Sequence, residues 1–209
     1  NSGEYKLMGL APYGKPIYKD KLLNLIHFTD TGFKLNLDYF LHHKEKIFFL
    51  NNNGQFEYKN IYSDKIYDLL GDERKPNDPI TQRHKDLAKS IQSVYEDVFF
   101  HILNNLHLKY NSNNLSLSGG CAMNSVANGK ITKKTKFKDV YISPNPGDAG
   151  GSVGSAAYFL QNDLDFKISV NKYEYLGKGY SNEEIKKIIQ SFNSDKKYFY
   201  NYMDFKEMI

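Results

Sequence analysis

The feature that most constrains this chain is a local order that occurs twice near its middle. LSLSGGCAMNSVANGKI (residues 115–131) and VYISPNPGDAGGSVGSAAYFL (residues 140–160) each run from an apolar strand-like segment, through a glycine pair, into a helix-like segment. Successive strand–glycine–helix units dictate an α/β arrangement, because neighbouring parallel strands need a crossover that packs on their sheet. A glycine just after a strand lets the backbone turn sharply and lets a ligand approach where a Cβ would otherwise stand. The helix behind it presents unpaired N–H groups, and in open α/β sheets such ligands lie outside the carboxyl ends of the strands. The plainer reading is that these glycines only make tight turns. It suits one pair better than two pairs with Asn124 and Asp148 beside them.

The segments around this unit are readable from spacing. Leu87, Ile91, Val94, Tyr95, Val98, Phe99, Ile102, Leu103 and Leu106 recur every three or four residues, which predicts a buried amphipathic helix over 81–108. Upstream, LLNLIHF and GFKLNL flank Thr29-Asp30-Thr31, and KIFFL and FEYKN flank Asn51–Gly54, predicting two hairpins. LDYFLHH between them is expected as a short helix, and the Gly/Pro-punctuated GEYKLMGLAPYGKP suits turns rather than a long element. Asn114–Ser118 and Asp139–Ser143 are the expected strands of the central unit, with helices at Ala122–Ile131 and Gly151–Gln161. Further on, YLGKGY reads as a turn, Ser181 with Glu184 as a capping box for a helix over 182–192, and KKYFYNYM as a strand.

Composition narrows the chemistry. A net charge of +4 with 25% charged residues is ordinary for a globular protein, and no apolar run approaches the roughly 20 residues of a membrane span. KITKKTKFK, residues 130–138, is locally basic and reads as a solvated surface, so neither a nucleic-acid nor a membrane partner is expected. The single cysteine, Cys121, rules out an internal disulfide framework and fits a reducing cytoplasm. With no general base nearby in sequence, Cys121 is read as a small buried residue rather than a nucleophile. None of the six histidines forms an i, i+4 pair, so they are read as structural or surface residues. SGGCAMN lacks dinucleotide-type G-x-G-x-x-G spacing and no P-loop motif occurs, which leaves Lys130 without a P-loop role. Asp148, in a glycine-flanked loop before a helix, could bind a metal, orient a hydroxyl or cap that helix.

GEYKLMGLAPYGKP, SGGCAMNSVANGKI and PNPGDAGGSVGSAAY, in this order and at these separations, resemble the carbamoyltransferases of the nodulation and antibiotic-tailoring type. DLAKSIQSVYEDVF resembles the helix before that family's SGG strand, and YLGKGYSNEEI the opening of its C-terminal domain. The resemblance implies an actin/hexokinase-like (ASKHA, RNase H-like) ATPase domain, followed by a YrdC-like α+β domain. Residues 1–162 would be the second half of the first domain, with inserted hairpins over about 17–80, and residues 163–209 the start of the second. The start at Asn1 and the end at YFYNYMDFKEMI both read as cuts in a longer protein.

The activity so implied is ATP-dependent O-carbamoyl transfer. Carbamoyl phosphate and ATP would give carbamoyl adenylate, and the carbamoyl group would pass to a hydroxyl of a sugar or small-molecule acceptor. By the same resemblance Gly3 and Glu4 lie near the ribose, Gly119, Gly120 and Asn124 along the nucleotide, and Gly150 and Gly151 allow close approach. Asp148 corresponds to the aspartate that ligates a divalent metal, expected as Fe2+, whose histidine ligands would lie upstream of Asn1. The fragment alone is not expected to be catalytically complete, and homo-oligomerisation is left open. An actin-like ATPase or sugar kinase, and a non-catalytic nucleotide-binding module, are the alternative readings.

Overall fold

The computed structural model describes residues 3–166 and 177–192, the side chain of Phe192 excepted. The chain divides into two compact units, residues 1–168 and 169–209. In the first, α1 (Glu4–Leu10), a 3-10 turn (Ala11–Tyr13) and α2 (Lys19–Leu23) lead into hairpin β1 (Ile26–Phe28) and β2 (Phe33–Leu35). A second hairpin, β3 (Phe48–Leu50) and β4 (Phe56–Tyr58), precedes α3 (Lys65–Leu70) and the long α4 (Gln82–Tyr110). The remainder is β5 (Asn114–Leu117), α5 (Ser125–Asn128), α6 (Ile131–Lys134), β6 (Asp139–Ile142) and α7 (Gly150–Asn162). In the second unit, α8 (Asn182–Phe192) opens with the expected capping box: Ser181 N–H donates to Glu184 at 2.7 Å and Glu184 N–H donates to the Ser181 hydroxyl at 3.2 Å. Hydrogen bonding from Ser181 holds the Glu184 carboxyl below its ordinary pKa. The expected KKYFYNYM strand lies outside the described residues.

Both hairpins form where the alternating apolar residues place them, with Phe28 opposite Phe33 and Phe48 opposite Tyr58. The central unit is the expected parallel pair: Asn114 to Leu117 of β5 lie in register with Asp139 to Ile142 of β6. α4 begins at a capping box in which the His84 ring accepts the Thr81 N–H at 2.9 Å, and it ends at Asn111 in the left-handed conformation, φ 49°.

The two halves of α4 are buried differently. Its C-terminal half follows the apolar periodicity: Leu103 joins Ile131 and Phe137 in a core, with Phe99, Phe100, Leu115, Leu117 and Val140 packed around them. In the N-terminal half the buried residues are Asp86 and Ser90, a polar stripe on one face, and Ala88 and Gln92 on the opposite face. Lys15 N–H donates to the Asp86 carboxylate at 2.7 Å and Tyr18 N–H to the Ser90 hydroxyl at 3.0 Å, while that hydroxyl donates to the Asp86 carbonyl at 2.6 Å. Gly14 lies directly on the helix, where a Cβ would stand 1.9 Å from the Lys85 carbonyl oxygen. So close an approach needs small residues on α4 and polar ones to satisfy the incoming N–H groups, which explains why the buried stripe is not the apolar one.

Four expectations change. GEYKLMGL is helical over Glu4–Leu10 rather than a run of turns, and α2 and α3 appear where no helix is expected. LDYFLHH makes only a 3-10 turn over Leu37–Tyr39, because Phe40 bridges to Tyr62 and Leu41 N–H bonds the Ile61 carbonyl, which draws the backbone out of the helix. The single helix expected at Ala122–Ile131 is broken into a 3-10 turn (Gly120–Met123), α5 and α6, because the Asn124 side chain restarts the helix by accepting the Ala127 N–H. Cys121 is exposed rather than buried: on the 3-10 turn it is Ala122, 4% exposed, that faces inward.

Candidate functional site

The parallel pair brings the two glycine loops together at its carboxyl end. Gly119 N–H donates to the Pro146 carbonyl at 2.7 Å, so the loop after β5 is bonded to the loop after β6. Gly119 has φ 89° and ψ 170°, a conformation open in practice only to glycine. Met123, 61% exposed, stands beside Gly147, where a Cβ would be 3.4 Å from its sulfur. Around Gly120 and Gly151 an added Cβ would meet nothing within 4 Å, which leaves both flanks open to a ligand. Gly150 has an internal reason to be glycine: its Cβ would lie 2.1 Å from the Asn145 carbonyl oxygen. The N–H groups of Gly150 and Gly151 close turns onto the carbonyls of Gly147 and Asp148.

Asp148 is exposed at the tip of the second loop, and α7 begins without a side-chain cap, so capping is not what this carboxylate does. It offers one oxygen-donor group. Among the described residues no three His, Cys, Asp or Glu side chains gather where they could hold a metal ion, so these residues by themselves do not make a metal centre. The histidines are engaged structurally instead: His101 Nε2 lies 2.7 Å from the Thr29 carbonyl and its ring meets Phe28 edge-on, while His107 packs against Phe137.

The first loop is held from behind by α4. Gln92 and Asn124 exchange two hydrogen bonds, at 3.2 and 3.0 Å, and the Asn124 side-chain oxygen also accepts Ala127 N–H at 3.1 Å. One turn along, the Tyr95 hydroxyl donates to the Cys121 carbonyl at 3.2 Å; burial, followed by the Cys121 contacts, pushes its pKa up to about 12. Glu96 accepts from Gln92 at 3.1 Å and from Lys130 Nζ at 2.6 Å. Lys130 therefore departs from the solvated surface expected of residues 130–138. Asn128 donates to the Ala122 carbonyl at 2.7 Å while its own side-chain oxygen is buried without a partner.

Gly3 and Glu4 lie at the exposed start of α1, where Gly3 is the N-cap. α1 reaches the first loop's helix through Met8, whose sulfur is 4.0 Å from the Ser125 hydroxyl. Sequence reading missed Gln92, Tyr95, Glu96 and the pairing of Lys130. The available signal was a polar Gln92 beside Ile91 within the apolar stripe of a helix that had to be buried.

Comparison with known proteins decides the family. A model of the carbamoyltransferase N-terminus matches residues 1–157. The chain belongs to the carbamoyltransferase family. Its glycine loops and the α4 helix behind them fall within the matched residues. Among its relatives, an uncharacterized protein of Synechocystis is 42% identical over 193 residues, covering 88% of this chain and 29% of that protein. Nodulation protein NolNO of Sinorhizobium fredii is 34% identical over 164 residues, 77% of this chain and 20% of its own. Nodulation protein NolO of Bradyrhizobium diazoefficiens is 32% identical over 155 residues, 73% of this chain and 24% of its own. The chain thus spans less than a third of the length of each of these relatives. No helix among the described residues is long and apolar enough to cross a membrane.

Proposed function

We propose that this chain supplies part of the nucleotide cleft of an ATP-dependent O-carbamoyltransferase, within an actin/hexokinase-like domain that leads into a YrdC-like one. The observation that carries the reading is the Gly119–Pro146 hydrogen bond, which joins two glycine loops at the carboxyl end of a parallel strand pair. That is where α/β sheets place their ligands. The substrates are carbamoyl phosphate, ATP and a hydroxyl-bearing acceptor. Water releases phosphate from carbamoyl phosphate, and the carbamate so formed displaces pyrophosphate from ATP; the resulting adenylate gives the carbamoyl carbon a good leaving group, AMP, which departs as the acceptor oxygen attacks and gives up its proton.

In this reading the open flanks of Gly120 and Gly151 admit the nucleotide to backbone distance. The Gly119–Pro146 bond fixes the gap between the two walls, so that the cleft is shaped before the ligand arrives and little ordering cost falls on binding. Gly3 and Glu4 would approach from α1, and Asp148 would give one ligand to a divalent metal completed by residues outside those described. Tyr95 stays protonated throughout the neutral range and so remains a donor to the Cys121 carbonyl, keeping the first wall in place. The test is mass-spectrometric detection of carbamoylated products made by the complete protein from carbamoyl phosphate, ATP and a panel of hydroxyl acceptors. Phosphorylated products formed without carbamoyl phosphate would instead support a kinase.

A further inference from the structure

The polar array behind the first glycine loop has a direction fixed at both ends. At one end the Glu96 carboxylate accepts from Lys130 Nζ at 2.6 Å, and the same oxygen faces the side-chain nitrogen of Gln92, at 3.1 Å. At the other end Ala127 N–H can only donate, so the side-chain oxygen of Asn124 must face it, at 3.1 Å. The two amides meet between these ends with matched polarity: Gln92 Nε2 donates to Asn124 Oδ1 and Asn124 Nδ2 donates to Gln92 Oε1. Gln92 is 3% exposed, so no water competes for its amide. Asn124 Oδ1 is occupied twice, whereas Nδ2 uses one of its two hydrogens. The amide of Asn124 can therefore offer a ligand a donor and not an acceptor.

Resting on the carbamoyltransferase reading above, we propose that Gln92 is a positioning residue for nucleotide binding, and that Glu96 sets its orientation. Buried on α4 behind the loop, Gln92 fixes the Asn124 amide so that one Nδ2 hydrogen serves an oxygen of the nucleotide. Without Gln92 the Ala127 N–H alone orients the amide, which then turns over more easily, presenting the wrong atom to the ligand and breaking the Ala127 bond whenever it does.

The test combines steady-state kinetics with amide hydrogen exchange on the complete protein. Gln92→Met keeps the side chain's length and removes its three hydrogen bonds, two with Asn124 and one to Glu96. It should raise KM for ATP about tenfold with kcat held within about twofold, the pattern of a lost binding interaction. It should also speed exchange of the Ala127 amide at least about tenfold. Asn124→Ala should raise KM equally, and the double variant should do no worse, because the two residues act as one unit. Glu96→Gln, a milder change that lets the neighbouring amide turn either way, should raise KM about two- to fivefold. Unchanged Ala127 exchange, unchanged KM in Gln92→Met, or KM losses that multiply in the double variant would overturn the positioning role. A wild-type protein that forms no carbamoylated product would overturn the functional reading itself, a result separate from any of these.

Discussion

Gly119 donates its N–H to the carbonyl of Pro146 across 2.7 Å, and this one backbone bond spans the two loops that the sequence keeps 27 residues apart. Because no side chain takes part, its strength depends on backbone conformation, and the φ of 89° at Gly119 is the vulnerable point.

Replacing Gly119 by alanine should cost roughly 1–3 kcal/mol of stability through backbone strain. Gly120→Ala, where a Cβ meets nothing and φ is not positive, should leave stability within about 0.5 kcal/mol. Denaturant unfolding checks both. If the nucleotide approaches Gly120 closely, that second variant loses nucleotide affinity in calorimetry while melting like the wild type.

Asp148→Ala should be thermodynamically silent, within about 0.5 kcal/mol, since the side chain is exposed and caps nothing. In the complete protein it should abolish metal-dependent carbamoyl transfer. Full activity with added Fe2+ would reject the ligand role.

Ser90 is fully buried and its hydroxyl both accepts from Tyr18 N–H and donates to the Asp86 carbonyl. Ser90→Ala removes the acceptor of a part-buried N–H and should destabilise by about 1–3 kcal/mol, read from chemical denaturation.

The pKa of the neighbouring Asp86 is depressed, first by the Lys15 N–H and then by Gln82. Its folded value thus lies below its unfolded one. The stabilisation is present above the unfolded carboxylate pKa, near 4, and is lost as pH falls through the folded value. Asp86→Asn should flatten that acid limb of the stability profile, which thermal melts from pH 6 down to pH 2 would resolve.

Cys121 is exposed on the turn between the glycine pair and Asn124. A maleimide should label it in the native protein, as mapped by peptide mass spectrometry, and saturating ATP should slow that labelling if the first loop faces the nucleotide.

What was legible in the sequence follows the range of the interactions. Phe28 opposite Phe33 and the Ser181–Glu184 box arise between near neighbours, and local spacing announces the hairpin and the cap. The strand–glycine–helix order likewise announces the parallel pair. The Gln92–Asn124 exchange joins residues 32 apart, and the Asp86–Lys15 bond residues 71 apart; in both, polar side chains occupy positions that burial rules assign to apolar ones. The buried reading of Cys121 rests on residue type, which does not say which way a short turn faces: on the 3-10 turn Gly120–Met123 the interior goes to Ala122 and Cys121 is exposed.

The way the segment after α1 is fastened to α4 has an evolutionary corollary. Asp86 and Ser90 grip the main-chain N–H groups of Lys15 and Tyr18, which every residue but proline can offer. Positions 15 and 18 are therefore freer to drift than 86 and 90, proline excepted. Mutational tolerance should be lopsided across this contact, high on the strap and low on the helix beneath it.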